Sequence, residues 1–325
     1  MAGAVFSFQK FLCYNRLMEL NLSNFYISLG VIAIIIVLGF FLGKKKLITA
    51  ETNKNLINLL LSVFMPASLF SAFPSTSSDN LLNLFFMGLL AGVLVMVCLI
   101  LLSRIIFNKR LWRKSLATEA QFAFIFNNAT FLGYPIISTT FGEEGIIPYC
   151  GFIISFNLAL FSYGVWLFKR ADSKHFLKKT LLNPNIIAVV LGMIVFLFHV
   201  ELPSPIVSSV KYVAGATTPL SLLCIGFMLS SANLKKVLHS WRLLVISLIQ
   251  LLFAPFLTYA LLRILNFPEE VVIVCTLIQS LPTATSLGLF AEKYGGSVEE
   301  ASELVVISTL CSILTLPLVV AILFG

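Results

Sequence analysis

Apolar runs of about 20 residues, separated by short polar breaks, repeat along the chain from residue 24 to its end. That is the length at which a helix crosses about 30 Å of hydrocarbon, at roughly 1.5 Å per residue. The pattern predicts helical spans over 24–43, 53–73, 81–107, 115–141 and 146–168. A second set follows over 181–200, 206–230, 240–265, 271–292 and 300–324. The expected fold is an all-α membrane protein with ten transmembrane helices and no soluble domain between them.

Composition agrees with this pattern. Hydrophobic residues make up 59% of the 325 and charged residues 11%, at a mean hydropathy of +1.00. A soluble chain carries about 25% charged residues, so lipid is the main solvent here. The net charge of +8 would suit nucleic acid, but the basic residues lie in breaks beside the spans and not on a soluble face. Lys44, Lys45, Lys46 and Lys54 follow the first span. Arg104, Lys109, Arg110, Arg113 and Lys114 follow the third, and Lys169, Arg170, Lys174, Lys178 and Lys179 the fifth. Lys235, Lys236 and Arg242 follow the seventh and Lys293 the ninth, which puts 18 of the 22 basic residues on odd-numbered loops. The positive-inside rule makes those loops cytoplasmic and both termini extracytoplasmic, in a cell membrane.

Residues 1–23 are interrupted by Lys10, Asn15, Arg16 and Glu19. They are expected to be an N-terminal extracytoplasmic segment and not a span, with Met1 or Met18 as the start. Residues 24–168 and 181–325 form two five-span halves joined by a short basic connector, 169–180. An offset of 153 places Pro66-Ala67-Ser68-Leu69 over Pro219-Leu220-Ser221-Leu222, Phe141-Gly142 over Tyr294-Gly295, and Ser155 over Ser308. Five spans is an odd number, so two such repeats lie in opposite orientations.

Spans four and nine occupy equivalent places in the halves, and both carry helix-breaking residues. The fourth reads Asn127-Asn128-Ala129-Thr130-Phe131-Leu132-Gly133-Tyr134-Pro135, and the ninth Gln279-Ser280-Leu281-Pro282-Thr283-Ala284-Thr285-Ser286-Leu287-Gly288. Gly133, Pro135, Pro282 and Gly288 are the expected helix-break residues, since proline lacks a backbone donor and glycine tolerates departure from the helix. Backbone freed within a membrane must be buried in protein or line a wet cavity. Half-helix N-termini carry partial positive charge and suit an anion. Sodium takes oxygen ligands, so Thr130, Gln279, Thr285 and Ser286 with nearby carbonyls make a candidate cation site.

These segments resemble the auxin efflux carrier family, within the broader group that includes bile-acid sodium symporters. The resemblance covers residues 24–325. It rests on Asn128 to Pro135, on Asn183-Pro184-Asn185 with Gly192, and on Phe290-Ala291-Glu292-Lys293-Tyr294-Gly295-Gly296. Pro66, Thr217-Thr218-Pro219 and Gly226 support it. It implies a scaffold domain from spans one, two, six and seven, and a transport domain in which spans four and nine cross at their breaks. It further implies substrate beside Asn128 and the Pro282 region, with Asn157 of Ile153-Ile154-Ser155-Phe156-Asn157-Leu158 as another binding residue; Asn127 and Thr283, polar residues at the same breaks, are added as candidates on their own chemistry. Plant members carry proline where Asn127 stands and a long central loop where 169–180 is short. The chain resembles a compact bacterial member for which auxin is not the expected substrate.

The expected activity is secondary active or facilitative transport of a small organic anion, a carboxylate, by alternating access. Sodium-coupled symport of the bile-acid type is the alternative, with a channel or a membrane sensor behind it. H+, Na+ and uncoupled transport all remain open, as does a homodimer. No resident cofactor or metal is expected. Six scattered cysteines read as packing residues, and no nucleophile-base pair or phosphate-cradling loop argues for an enzyme. His175, His199 and His239 fall in or beside loops, and Lys211 is expected to snorkel. Glu119 and Gln121 lie early in span four near the cytoplasmic side; Glu119 could relay protons or screen substrate, but hydration near the membrane surface is the expected reading.

Overall fold

The computed structural model describes residues 25–72, 81–108, 112, 114–169, 182–198, 200–231 and 240–324. The segment 1–23, Cys13, the connector beyond residue 169 and all three histidines lie outside the described residues. Among the described residues the protein is entirely helical, with no strand beyond one isolated bridge.

Seven helices are long and apolar enough to cross a membrane. These are α1 (Phe25–Lys44), α2 (Ala50–Ala72), α3 (Leu82–Ile106), α6 (Gly145–Phe168), α8 (Ser204–Ser231), α9 (Trp241–Ile264) and α12 (Val298–Phe324). The other three apolar stretches are built differently. Span six is the 14-residue helix α7 (Pro184–Leu197), opened by Asn183, whose side chain accepts the Asn185 N–H at 2.9 Å while Pro184 fills a position that needs no donor. Residues 115–141 form α4 (Lys114–Ile125) and α5 (134–141), and residues 271–292 form α10 (Glu269–Gln279) and α11 (Ser286–Tyr294).

Small residues let particular helices approach backbone to backbone, as expected where lipid gives no hydrophobic reason for helices to associate. At Gly151 of α6 an added Cβ would lie 2.1 Å from Phe85 O of α3, and at Gly226 of α8 it would lie 2.1 Å from Ile36 O of α1. In α2 the π turn Leu60–Phe64 loosens the backbone ladder. Phe64 O then accepts Thr217 Oγ1 of α8 at 2.9 Å, and Ser68 Oγ meets Thr217 Oγ1 at 2.6 Å. Gly142 holds φ 58°, ψ −142°, a bend between α5 and α6 that only glycine takes without strain. Ile34 of α1 and Leu314 of α12 are among the apolar side chains facing outward, which suits a hydrocarbon surround.

Candidate functional site

The helical ladder of α4 stops after Ile125 and that of α10 after Gln279. Two short extended segments follow, and they lie against each other. Asn127 and Thr283 form an antiparallel bridge, Asn128 N–H donates to Pro282 O at 2.7 Å, and Ala284 N–H donates to Phe126 O at 2.9 Å. Each break therefore supplies backbone partners for the other, where water cannot.

Side chains complete the junction. Asn128 caps the next turn, its Oδ1 accepting the Phe131 N–H at 3.2 Å, and its backbone carbonyl takes the N–H groups of Leu132 and Gly133. Tyr149 of α6 donates its hydroxyl to Ala129 O at 2.9 Å. Gln250, in the π turn Ile249–Phe253 of α9, grips the second break twice. Its Nε2 donates to Leu281 O at 2.7 Å, and its Oε1 accepts the Thr283 hydroxyl at 3.1 Å. Ser308 of α12 accepts the Thr283 N–H at 3.1 Å. Pro282 sits where no donor is needed, and its carbonyl is the acceptor for Asn128.

One pair remains incomplete. Asn127 Nδ2 donates to Gln279 Oε1 at 2.8 Å, which leaves Asn127 Oδ1 and Gln279 Nε2 buried without partners. Turning both amides over would exchange their roles and still leave one donor and one acceptor bare. An unmet buried donor or acceptor costs about 1–3 kcal/mol, so a polar ligand that meets this pair recovers that cost.

The structure brings Asn127, Asn128, Gln279, Pro282 and Thr283 to one junction. Thr130 lies in the π turn Ala129–Gly133, and Gly133 closes it with Pro135 just beyond, at the start of α5. Thr285 and Ser286 begin α11, and Gly288 lies inside it. Thr285 also lines a small open cleft with Ile225, Met228 and Leu229 of α8 and Val305, Val306 and Thr309 of α12. Asn157 is buried in α6 and donates to Ile153 O one turn back, with no bond to either extended segment.

One reading changes here, and two residues of the junction carried no site expectation. Gln250 and Ser308 hold the second break although nothing in their local sequence announces it; an amide inside an apolar span was the one signal available. Glu119 is not hydrated: it is fully buried, and one carboxylate oxygen accepts the Ser297 N–H at 2.7 Å. The corner between α11 and α12 folds over it. Gln121 is buried too, its Nε2 donating to Phe107 O at 2.7 Å.

Apolar helices of spanning length, with a polar junction enclosed among them, define a multi-pass membrane protein. The chain matches the model of a family described as membrane transport protein over residues 25–173 and 168–320, and it belongs to that family, the auxin efflux carriers. It is 24% identical over 296 residues to an uncharacterized transporter of Methanothermobacter thermautotrophicus, covering 88% of this chain and 94% of that one. It is 26% identical over 302 residues to an uncharacterized transporter of Methanocaldococcus jannaschii, covering 89% and 95%. A putative malonate transporter of Rhizobium meliloti is 25% identical over 209 residues, 61% of this chain and 65% of that protein.

Proposed function

We propose that this membrane transporter moves a small organic anion, a carboxylate such as malonate, by alternating access, as a secondary active or facilitative carrier. The observation that carries the reading is the incomplete amide pair at the paired breaks: a bare donor and a bare acceptor enclosed side by side where two interrupted helices meet. Two further features support it. The π turn Ala129–Gly133 that leads into α5, and α11 itself, both start beside the junction, which puts two helical N-terminal ends near it. The likeness to a putative malonate transporter points to a short carboxylate as the first ligand to try.

On this reading the chain has ten spans in a cell membrane, arranged as inverted halves over 24–168 and 181–325, with α4–α5 and α10–α11 as interrupted spans. Spans one, two, six and seven are the scaffold against which the rest moves. A reporter in 169–180 should be cytoplasmic and one fused after Gly325 extracytoplasmic. A cytoplasmic C-terminus would overturn the two-by-five arrangement.

Asn128 is the direct test of the site. Its Oδ1 is committed to the turn that follows, which leaves Nδ2 to meet a carboxylate. Asn128→Ala should weaken malonate binding by roughly 1–3 kcal/mol, about fivefold to more than hundredfold. Affinity is measured on folded, size-exclusion-purified protein together with its melting temperature. Unchanged affinity with a lowered melting temperature would assign Asn128 to the fold alone and shift attention to Asn127, Thr283 and Asn157.

A further inference from the structure

Glu119 is the one charged side chain that is fully buried among the described residues. It stands on α4, one turn before Phe122, whose ring packs on Phe290 of α11 with centroids 5.1 Å apart. Its Oε1 accepts the Ser297 N–H, but its Oε2 is enclosed and has no partner. Ser297 Oγ in turn accepts the Glu300 N–H at 3.3 Å, and Glu300 Oε2 is a second enclosed carboxylate oxygen with no partner. The corner therefore gathers two acidic groups, Glu119 fully buried and Glu300 half-buried, each with one enclosed bare oxygen.

A buried carboxylate left in that condition requires a positive species beside it. The described side chains do not supply one. On α3, Arg104 is held against Tyr163 and Trp166 of α6, while Arg242 of α9 lies over Trp241 and Lys293 of α11 over Tyr294. Glu292 of α11 points outward, and Glu299 and Glu303 of α12 have contacts of their own. A hard metal cation takes about six or more oxygens, whereas this corner offers two bare carboxylate oxygens and an N–H already directed at Glu119. A proton needs only one oxygen.

We propose that Glu119, with Glu300 beside it, is the binding site for a proton that accompanies transport. The proton adds to Glu119 Oε2 from solvent while the α11–α12 corner is open to one side of the membrane, and leaves the same oxygen for solvent when alternating access next opens the corner to the other side. The closed corner is the state seen here. Gly296 lies so close over the carboxylate that an added Cβ would fall 2.7 Å from Oε1 and 2.5 Å from Phe168 Cε1. Both α4 and α11 end at the substrate junction, so opening this corner displaces the two half-helices whose far ends hold the breaks together. The proposal rests on the transport reading for its meaning, although proton binding itself can be read without any substrate.

Infrared difference spectroscopy on the full-length protein in lipid nanodiscs, stepped from alkaline to acid pH, reads the C=O stretch of a buried protonated carboxyl. Wild type should show one such band, unchanged when sodium replaces potassium. Glu119→Gln keeps an acceptor for Ser297 and should abolish the band. Glu119→Asp keeps the acid and should displace it, which decides the matter alone if the glutamine variant does not fold. A wild-type spectrum lacking the band, a band that survives Glu119→Gln, or one removed by sodium overturns the proposal. In proteoliposomes, proton-gradient-driven malonate uptake should fall about tenfold or more in Glu119→Gln, a change of about 1.4 kcal/mol. Wild-type uptake indifferent to the proton gradient would also overturn it. Failure of wild type to carry malonate at all sinks the carboxylate reading and leaves the infrared result to decide the proton site.

Discussion

Gly151→Leu should leave almost no folded protein, while Gly30→Leu should leave folding intact. A side chain at Gly151 would start 2.1 Å from Phe85 O and 2.6 Å from Leu89 N, and both obstructions are backbone of α3. Overpacking a core against flexible side chains costs about 1–3 kcal/mol, but here no rotamer can yield and the helices themselves must part. The same interface has a second close approach, because a Cβ at Gly88 of α3 would lie 2.3 Å from Pro148 O of α6. Separating α3 from α6 would strip cover from Tyr149, which holds Ala129 O at the first break. Against a typical net stability of about 5–15 kcal/mol, that loss is large. Nothing stands within 4 Å of a Cβ at Gly30, and leucine is the better helix former there. Fluorescence-detected size exclusion and melting temperature read the contrast. A Gly151→Leu protein that melts like wild type would show that α3 and α6 do not touch in this way.

The second large effect is expected at Gln250. Gln250→Leu fills the same space and removes both grips on the second break, leaving Leu281 O and the Thr283 hydroxyl buried and unpaired. At about 1–3 kcal/mol for each stranded group, the loss is roughly 2–6 kcal/mol. Because Thr283 also bridges to Asn127, malonate uptake per folded molecule should fall with stability. A double-mutant cycle with Thr283→Val separates the terms: the second substitution should cost much less when Gln250 is already leucine. Additive losses, or a Gln250→Leu protein with wild-type melting and uptake, would remove Gln250 from the junction.

Those two residues mark where sequence reading succeeds and where it stops. Runs of apolar residues reveal helices because hydrocarbon thickness sets their length, and Asn127-Asn128 and Pro282 reveal interruptions because their local chemistry opposes a helix. The Asn183-Pro184 start of α7 is legible for the same reason. Gln250 is not, since an isolated amide says nothing of the carbonyl it will meet 31 residues later. The π turns of α2 and α9 carry no local signature in composition either, yet they aim Phe64 O and Gln250. Glu119 misleads in the opposite direction: nearness to a basic loop suggests water, and only the tertiary turn at Gly295 and Ser297 closes over it. Local propensity can be read along a chain; the partner that satisfies a lone polar group lies elsewhere in it.

The mutual pairing of the breaks also bears on how the protein is made. Asn127 and its partner Gln279 are 152 residues apart, and the Asn128 N–H and Phe126 O wait for Pro282 and Ala284. A ribosome adding about 5–20 residues each second would leave the first break without its acceptor and donor for roughly 8–30 s. Throughout that interval the nascent chain holds an interrupted helix that lipid cannot satisfy, so it must linger beside water or the insertion machinery until the tenth helical segment arrives. Biogenesis, not the finished molecule, is then where a slow codon or a missing chaperone would be felt first.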